Sequence, residues 1–357
     1  MGESVRGNHP YVGLPRSAYW KQAVSEVSPL HLDGLYEPRF TIDGDTRISA
    51  AGSCFAQHIG RQFKLRGFRF MDFEPPPPLL DPADYPAYSF DLFSARYGNL
   101  YSARQLVQLF ERAAGEFTPL DGAWSESTPD GERWYDPYRP IVEPRGFGSL
   151  EELERSRAAH LDAVARILPS TDVFVFTFGL TEAWRNTADG AVYPTCPGTI
   201  HGEYDAAAHE FVNFSYPEVL ADFEAFLARA RAVNPAMRFL VTVSPVPLTA
   251  TASGRHVLSA TMASKSILRA VCAELYNRYD YVDYFPSYEL VAAHPMRAMF
   301  FDPNLRTVAP RGVAHVMDTF FAAHPSPGPA AAAPAAASAS AEDDAVCDEA
   351  ILETFGS

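Results

Sequence analysis

Cysteine is scarce. The 357 residues hold only Cys54, Cys196, Cys272 and Cys347, none in a CxxC pair or beside histidines at zinc spacing. That excludes a disulfide-stapled scaffold, argues against a structural metal and fits a reduced compartment. Positive charge is in deficit too: 29 Lys and Arg against 44 Asp and Glu give a formal net charge of −15 and a pI near 5.1. Such a balance repels phosphate backbones and anionic lipid heads, so neither nucleic acid nor a membrane surface is an expected partner. No apolar run is long enough to span a bilayer, and the first twenty residues carry no apolar stretch behind a basic one. A soluble, cytoplasmic protein is therefore expected. The Met-Gly start has Arg6 where a myristoylation signal needs Ser or Thr. No internal repeat is visible, and no cofactor or metal is expected.

With 47% apolar and 20% charged residues, the chain can bury a large core, as one α/β unit or as two domains. From about residue 41 to 321, short β-rich runs alternate with amphipathic helices, the pattern of a parallel sheet covered on both faces. The expected fold class is a three-layer α/β sandwich with a central parallel sheet. Strands are predicted at 46–50, 68–73, 173–178, 238–243 and 281–284. Helices are marked by Leu150, Leu153, Leu161, Val164 and Leu168, by Leu220, Phe223, Leu227 and Ala230, by Leu268, Val271, Leu275 and Tyr279, and by Val313, Met317, Phe320 and Phe321.

Two stretches fit the alternation poorly. Residues 74–144, rich in Pro, Tyr and Trp around one helix at 103–114, and residues 193–215 read as irregular insertions shaping a lid over a pocket. The alternative is that Trp124, Trp134, Tyr135 and Tyr138 simply pack the insertion onto the core. At the other end, residues 324–344 are nearly all Pro, Ala and Ser, a composition that cannot offset chain entropy by burial and reads as a linker. Residues 345–357 follow as a short peptide with Cys347, Ile351 and Phe355 at helical spacing. That peptide is either a solvated end or a docking segment for a protein partner or for the body at 1–323.

The most informative segment is Ile48-Ser49-Ala50-Ala51-Gly52-Ser53-Cys54-Phe55-Ala56-Gln57-His58, a strand entering a small-residue turn and then a helix. A Ser at such a junction is exposed at the sheet end beside the positive end of the helix, a nucleophile's setting. Many Ser residues at this place only cap a helix.

Gly52-Ser53-Cys54-Phe55-Ala56 resembles the signature of the GSCFA family, which is similar to the SGNH/GDSL hydrolases. Matching blocks follow at 98–106 (Gly98-Asn99-Leu100-Tyr101-Ser102), at 178–184 (Phe178-Gly179-Leu180-Thr181-Glu182), at Ser244-Pro245-Val246-Pro247, at Ser264-Lys265-Ser266 and at 284–289. The resemblance implies an SGNH-type α/β fold with Ser53 as nucleophile, Gly98 as a backbone donor to the oxyanion and Thr181 in the place of the Asn that usually donates from the third block.

The usual fourth block, Asp-x-x-His, departs from the pattern. By register with Gly312 and the last helix, Asn304 and Thr307 hold the Asp and His places, and neither is a base. Other candidates for the proton are Asp302, a Cys54/His58 pair at i, i+4, His201, His256 and His294 in loops, and Lys265 by analogy with Ser-Lys enzymes. Lys265 could instead pair with Glu289 or Asp283. Arg306 could fork its two donors onto a carboxylate or phosphate, or bridge to a strand-end acid. The implied activity is that of a serine esterase or O-acyltransferase acting on acyl groups of a glycan, surface polysaccharide or small molecule. The alternative is a degenerate SGNH domain that binds a ligand or a protein.

Overall fold

A computed structural model describes residues 9–325 and 348–355. In chain order the elements are β1 (Ile48–Gly52), α1 (Phe55–Leu65), α2 (Ala103–Ala113), β2 (Trp124–Thr128), β3 (Gly131–Tyr135), α3 (Leu150–Ala165), α4 (Ile167–Ser170), β4 (Val173–Phe178), β5 (Glu182–Asn186), β6 (Val192–Tyr193), β7 (His209–Asn213), α5 (Tyr216–Val233), β8 (Arg238–Val243), α6 (Val257–Arg278), β9 (Val282–Tyr284), α7 (Ser287–Ala292) and α8 (Pro310–Ala323). The central sheet runs β1-β4-β8-β9, all parallel.

Strand composition explains the layering. In β4 and β8, Phe174, Phe176, Phe178, Phe239, Val241 and Val243 point to one core, built with α2, α5 and α6. Their alternates Val173, Val175 and Leu240 join Ile48, Ala50, Phe63 and Phe320 in a second core with α1, α7 and α8. Because successive strand residues face opposite sides, continuous apolar runs are what a sheet covered on both faces requires. The fold is α/β, a parallel sheet between helical layers, as the sequence predicts.

The strand expected at 68–73 is reduced to a single bridge, Phe70 beside Ile48. The run 75–78 is all proline and cannot extend a ladder; instead Phe73 N–H donates to Ser94 O at 2.9 Å and Ser94 N–H to Ala50 O at 3.4 Å, so the 94 region covers the β1 edge. The stretch 193–215 is less irregular than expected, since β6 and β7 flank β5 in an antiparallel sheet. Within the 74–144 insertion, β2 and β3 form a hairpin and α2 is closed by a capping box of Ser102 and Gln105. Its aromatics pack: Trp134 joins Val142, Phe147 and Leu153, and Tyr138 stacks on Tyr193.

An ionic network ties the insertion to α3. Asp136 accepts from Arg139 and Arg157; burial alone would raise its carboxyl, but the surrounding guanidinium groups hold it below the ordinary range. Glu74 bonds His160 Nδ1 at 2.7 Å and the Arg96 amide at 2.8 Å. The His160 imidazole is neutral, pushed down to about 4 by burial and then by Arg139. At the C-terminal end of α8, His324 is 0% exposed and bonded to Tyr36 and Ile42, so its ring belongs to the body. The linker from 326 on, with Cys347, lies outside the described residues.

Candidate functional site

Ser53 directly follows β1, and the chain reaches it through Gly52, whose φ is +140°. A Cβ on Gly52 would lie 2.5 Å from Thr177 O and 2.7 Å from Thr177 N, so β1 and β4 can come this close at their carboxyl ends only with glycine there. The Ser53 amide donates to Thr177 O at 3.1 Å, and the Leu100 amide to Gly52 O at 2.9 Å. Gly179, the first residue after β4, presses on the nucleophile candidate: a Cβ there would sit 2.9 Å from Ser53 Cβ.

Three adjacent strand ends therefore meet at one point, the place where open α/β sheets bind ligands. Ser53 and Cys54 come from β1, Gly179 and Leu180 from β4, and Ser244, Val246 and Pro247 from β8. Tyr101 and Arg306 complete a mouth of about 10 Å³. Ser53 is 2% exposed, and its Oγ has no hydrogen-bond partner among the described residues. The hydroxyl is thus held at the N-terminus of α1, buried and uncommitted. No carboxylate or imidazole is among the described residues lining this mouth.

A larger cavity of about 230 Å³ adjoins it, sharing Tyr101 and Leu180. Ala183, Trp184, Phe211 and Leu248 give it apolar walls. The carboxylate on that wall is Glu182, which accepts from the Thr251 hydroxyl at 2.8 Å and is raised above the ordinary range by burial.

The sequence candidates distribute unevenly. Gly98 (φ +69°) opens the segment that passes β1, yet the mouth is lined by Tyr101 of that block rather than by Gly98. Its neighbour Asn99, which spacing did not single out, is 2% exposed; its Oδ1 accepts from Gln57 Nε2 at 3.0 Å on α1, and its Nδ2 donates to Asp348 Oδ1 at 3.3 Å. Thr181 is buried beside β5, where its hydroxyl donates to Asn213 Oδ1 at 2.7 Å and its amide to Ser264 Oγ at 3.1 Å. In the 302–308 loop only Arg306 lines the mouth; Asn304 and Thr307 bond each other at 2.9 Å, and the Asp302 backbone closes the turn through Thr307 O and Leu305 N.

Lys265 pairs with neither Glu289 nor Asp283. Its Nζ donates to Gly179 O at 2.7 Å, beneath the glycine that touches Ser53, while Glu289 is engaged by Arg269 and Tyr284 and Asp283 by Tyr36 and the Arg39 amide. His58 lies half-buried on α1, edge-on to Phe55. His201 bonds Glu126, His256 caps α6 and His294 stacks on Trp20; none of these lines the mouth or the cavity. Among the described residues no three His, Cys, Asp or Glu gather as a metal site, and no helix is long and apolar enough to cross a membrane.

One further element reaches the site. The 3₁₀ helix Asp348–Phe355 sets Asp348 against Asn99, Leu352 in the wall of the larger cavity and Glu353 3.8 Å from Arg306. The search of curated proteins found no match. A family model described as the GSCFA family matches residues 47–320, a span that runs from β1 into α8 and contains every residue of the mouth. The chain belongs to the GSCFA family.

Proposed function

We propose that the protein is a serine esterase or O-acyltransferase in which Ser53 forms an acyl-enzyme. What carries this reading is the Ser53 hydroxyl, buried without a partner among the described residues at the meeting of three parallel strand ends and at the N-terminus of an eleven-residue helix. In the first step Ser53 Oγ bonds to the acyl carbonyl carbon, its proton leaves with the departing alcohol, and water or a second hydroxyl takes the acyl group in the next. The helix terminus supplies donors to the oxyanion; Gly98 shapes the segment that brings Tyr101 to the mouth, and Thr181 supports the site through Asn213. The apolar cavity takes the acyl chain, with a glycan or small-molecule alcohol on the open side. Glu182, the carboxylate on the wall of the adjoining cavity, is the proton acceptor in this scheme, and its raised affinity for a proton suits that task; Asp302, in the loop that brings Arg306 to the mouth, does not line it.

A second reading has its own support. The mouth has no acid or imidazole among the described residues, and Asn304 and Thr307 satisfy each other, so the same cleft would also suit a binding module that has lost its base. A fluorophosphonate probe separates the two. It should modify Ser53 in the full-length chain and leave Ser53→Ala unlabelled. Absence of the adduct both in the native chain and in Leu352→Asp, which loosens the cavity wall, would leave only the binding reading.

A further inference from the structure

The segment Asp348–Phe355 touches the cleft at two points, Leu352 in the cavity wall and Glu353 beside Arg306 of the mouth, and a third contact, Asp348 on Asn99, anchors it next to them. Asp348 is a carboxylate at 6% exposure, a costly position for a charge unless it is paired; its Oδ1 takes the Nδ2 donor of Asn99 at 3.3 Å, two residues from Tyr101 of the mouth. Leu352 adds an isobutyl group to the apolar cavity wall beside Leu180 and Trp184. Glu353 brings negative charge to 3.8 Å from Arg306 Nη1. That last contact is weak alone, because Glu353 is more than half exposed, but it falls on the same guanidinium that lines the Ser53 mouth.

We propose that residues 348–355 are a built-in competitor for this cleft, standing against an amphiphilic ligand made of an apolar chain of medium length and an anionic group. The ligand's chain would enter the 230 Å³ cavity, which at roughly 30 Å³ per water-sized group has room for about seven or eight of them, the size of an octanoyl chain. Its anionic group would take Arg306 from Glu353. The proposal takes its substrate class from the acyl-transfer reading, but occupation of the cleft by the segment does not require Ser53 to react. A tethered segment meets its site at an effective concentration on the order of millimolar, so few contacts suffice for high occupancy. A cleft open only a tenth of the time binds its ligand about tenfold more weakly in appearance.

Octanoate, which joins such a chain to a carboxylate, is the probe, and calorimetry on full-length chains reads its affinity without any turnover. Leu352→Asp should bind octanoate at least tenfold more tightly than the native chain. Leu352→Ala, which adds no charge, should shift affinity the same way by a smaller factor. A free peptide of residues 348–355 added to Leu352→Asp should weaken octanoate binding again. Equal affinity in all three chains, no binding to any of them, or a peptide without effect would overturn the proposal. The fluorophosphonate adduct reports on Ser53 separately, so its failure would sink the esterase reading and leave this result standing.

Discussion

His324 gives the fold a sharp acid limit that can be worked out from its surroundings. Its Nδ1 accepts the Ile42 amide at 3.1 Å. Its Nε2 lies 2.9 Å from the Tyr36 hydroxyl, whose own proton goes to Asp283 at 3.1 Å. The ring is therefore neutral, with Nε2–H donating, and charging it would put a proton on Nδ1 against the Ile42 N–H. Burial holds its pKa at about 4, below the usual 6.5. The unfolded chain thus gains a proton as the pH falls through 6.5, whereas the folded chain resists until about 4, and stability present above 6.5 is lost over that window. At ~1.4 kcal/mol per pH unit the loss is about 3 kcal/mol. With an unfolding entropy of ~2 cal/mol/K per residue over roughly 320 residues, that amounts to about 5 °C in Tm. His160 is depressed in the same way and adds to the fall. Asp283, raised by burial, opposes it at the acid end. His324→Gln isolates the one ring, because it keeps an acceptor and a donor but does not titrate. Its Tm should be lower than native at pH 7.5, and the gap should narrow by about 5 °C on going to pH 4.5. Parallel Tm curves for the two chains, measured by calorimetry in one buffer series, would refute the assignment of a neutral, depressed His324.

Two further outcomes follow from the site. Gly52→Ala should destabilise by about 3 kcal/mol or more, since its Cβ meets the Thr177 backbone, which cannot swing aside; a denaturant midpoint within error of native would show that β1 and β4 need no such approach. Asn304→Asp combined with Thr307→His should leave ester hydrolysis within about twofold, because neither position lines the mouth. A gain on the order of 10²-fold, the usual yield of an oriented base, would mean that this loop does present its side chains to Ser53.

The layers of the fold were legible because β4 and β8 are apolar at every position but one or two, a pattern that only a doubly covered strand requires, and because the four named helical stripes bury most of their residues, Leu150 at the start of α3 being the exposed one. The 68–73 run misled because Phe68, Phe70 and Phe73 have strand composition, while the pairing fails for a reason outside the run: four prolines follow it, and the β1 edge it would occupy is taken by Ser94. Residues 193–215 misled in the opposite way. β6 is two residues long and β7 contains His209, Glu210 and Asn213, so neither looks like a strand until β5 is set between them.

For the candidate site, the sequence singled out Ser53 because Gly52 directly before it marks the turn from strand into helix. The residues around Ser53 come from across the fold, and spacing within a block does not say which side chain turns inward. In the second block the backbone demand is visible at Gly98, yet the side chain that reaches α1 and the C-terminal segment is that of Asn99. In the third, Thr181 points to Asn213 on β7, a partner thirty-two residues away, and Glu182 one position on faces the cavity, as alternation along a strand dictates. In the 302–308 loop Leu305 sits at φ +55°, and this turn sends Asn304 back onto Thr307 and Arg306 forward to the mouth. The mouth is thus offered a guanidinium, and Glu353 of the chain's own C-terminal segment lies 3.8 Å from it.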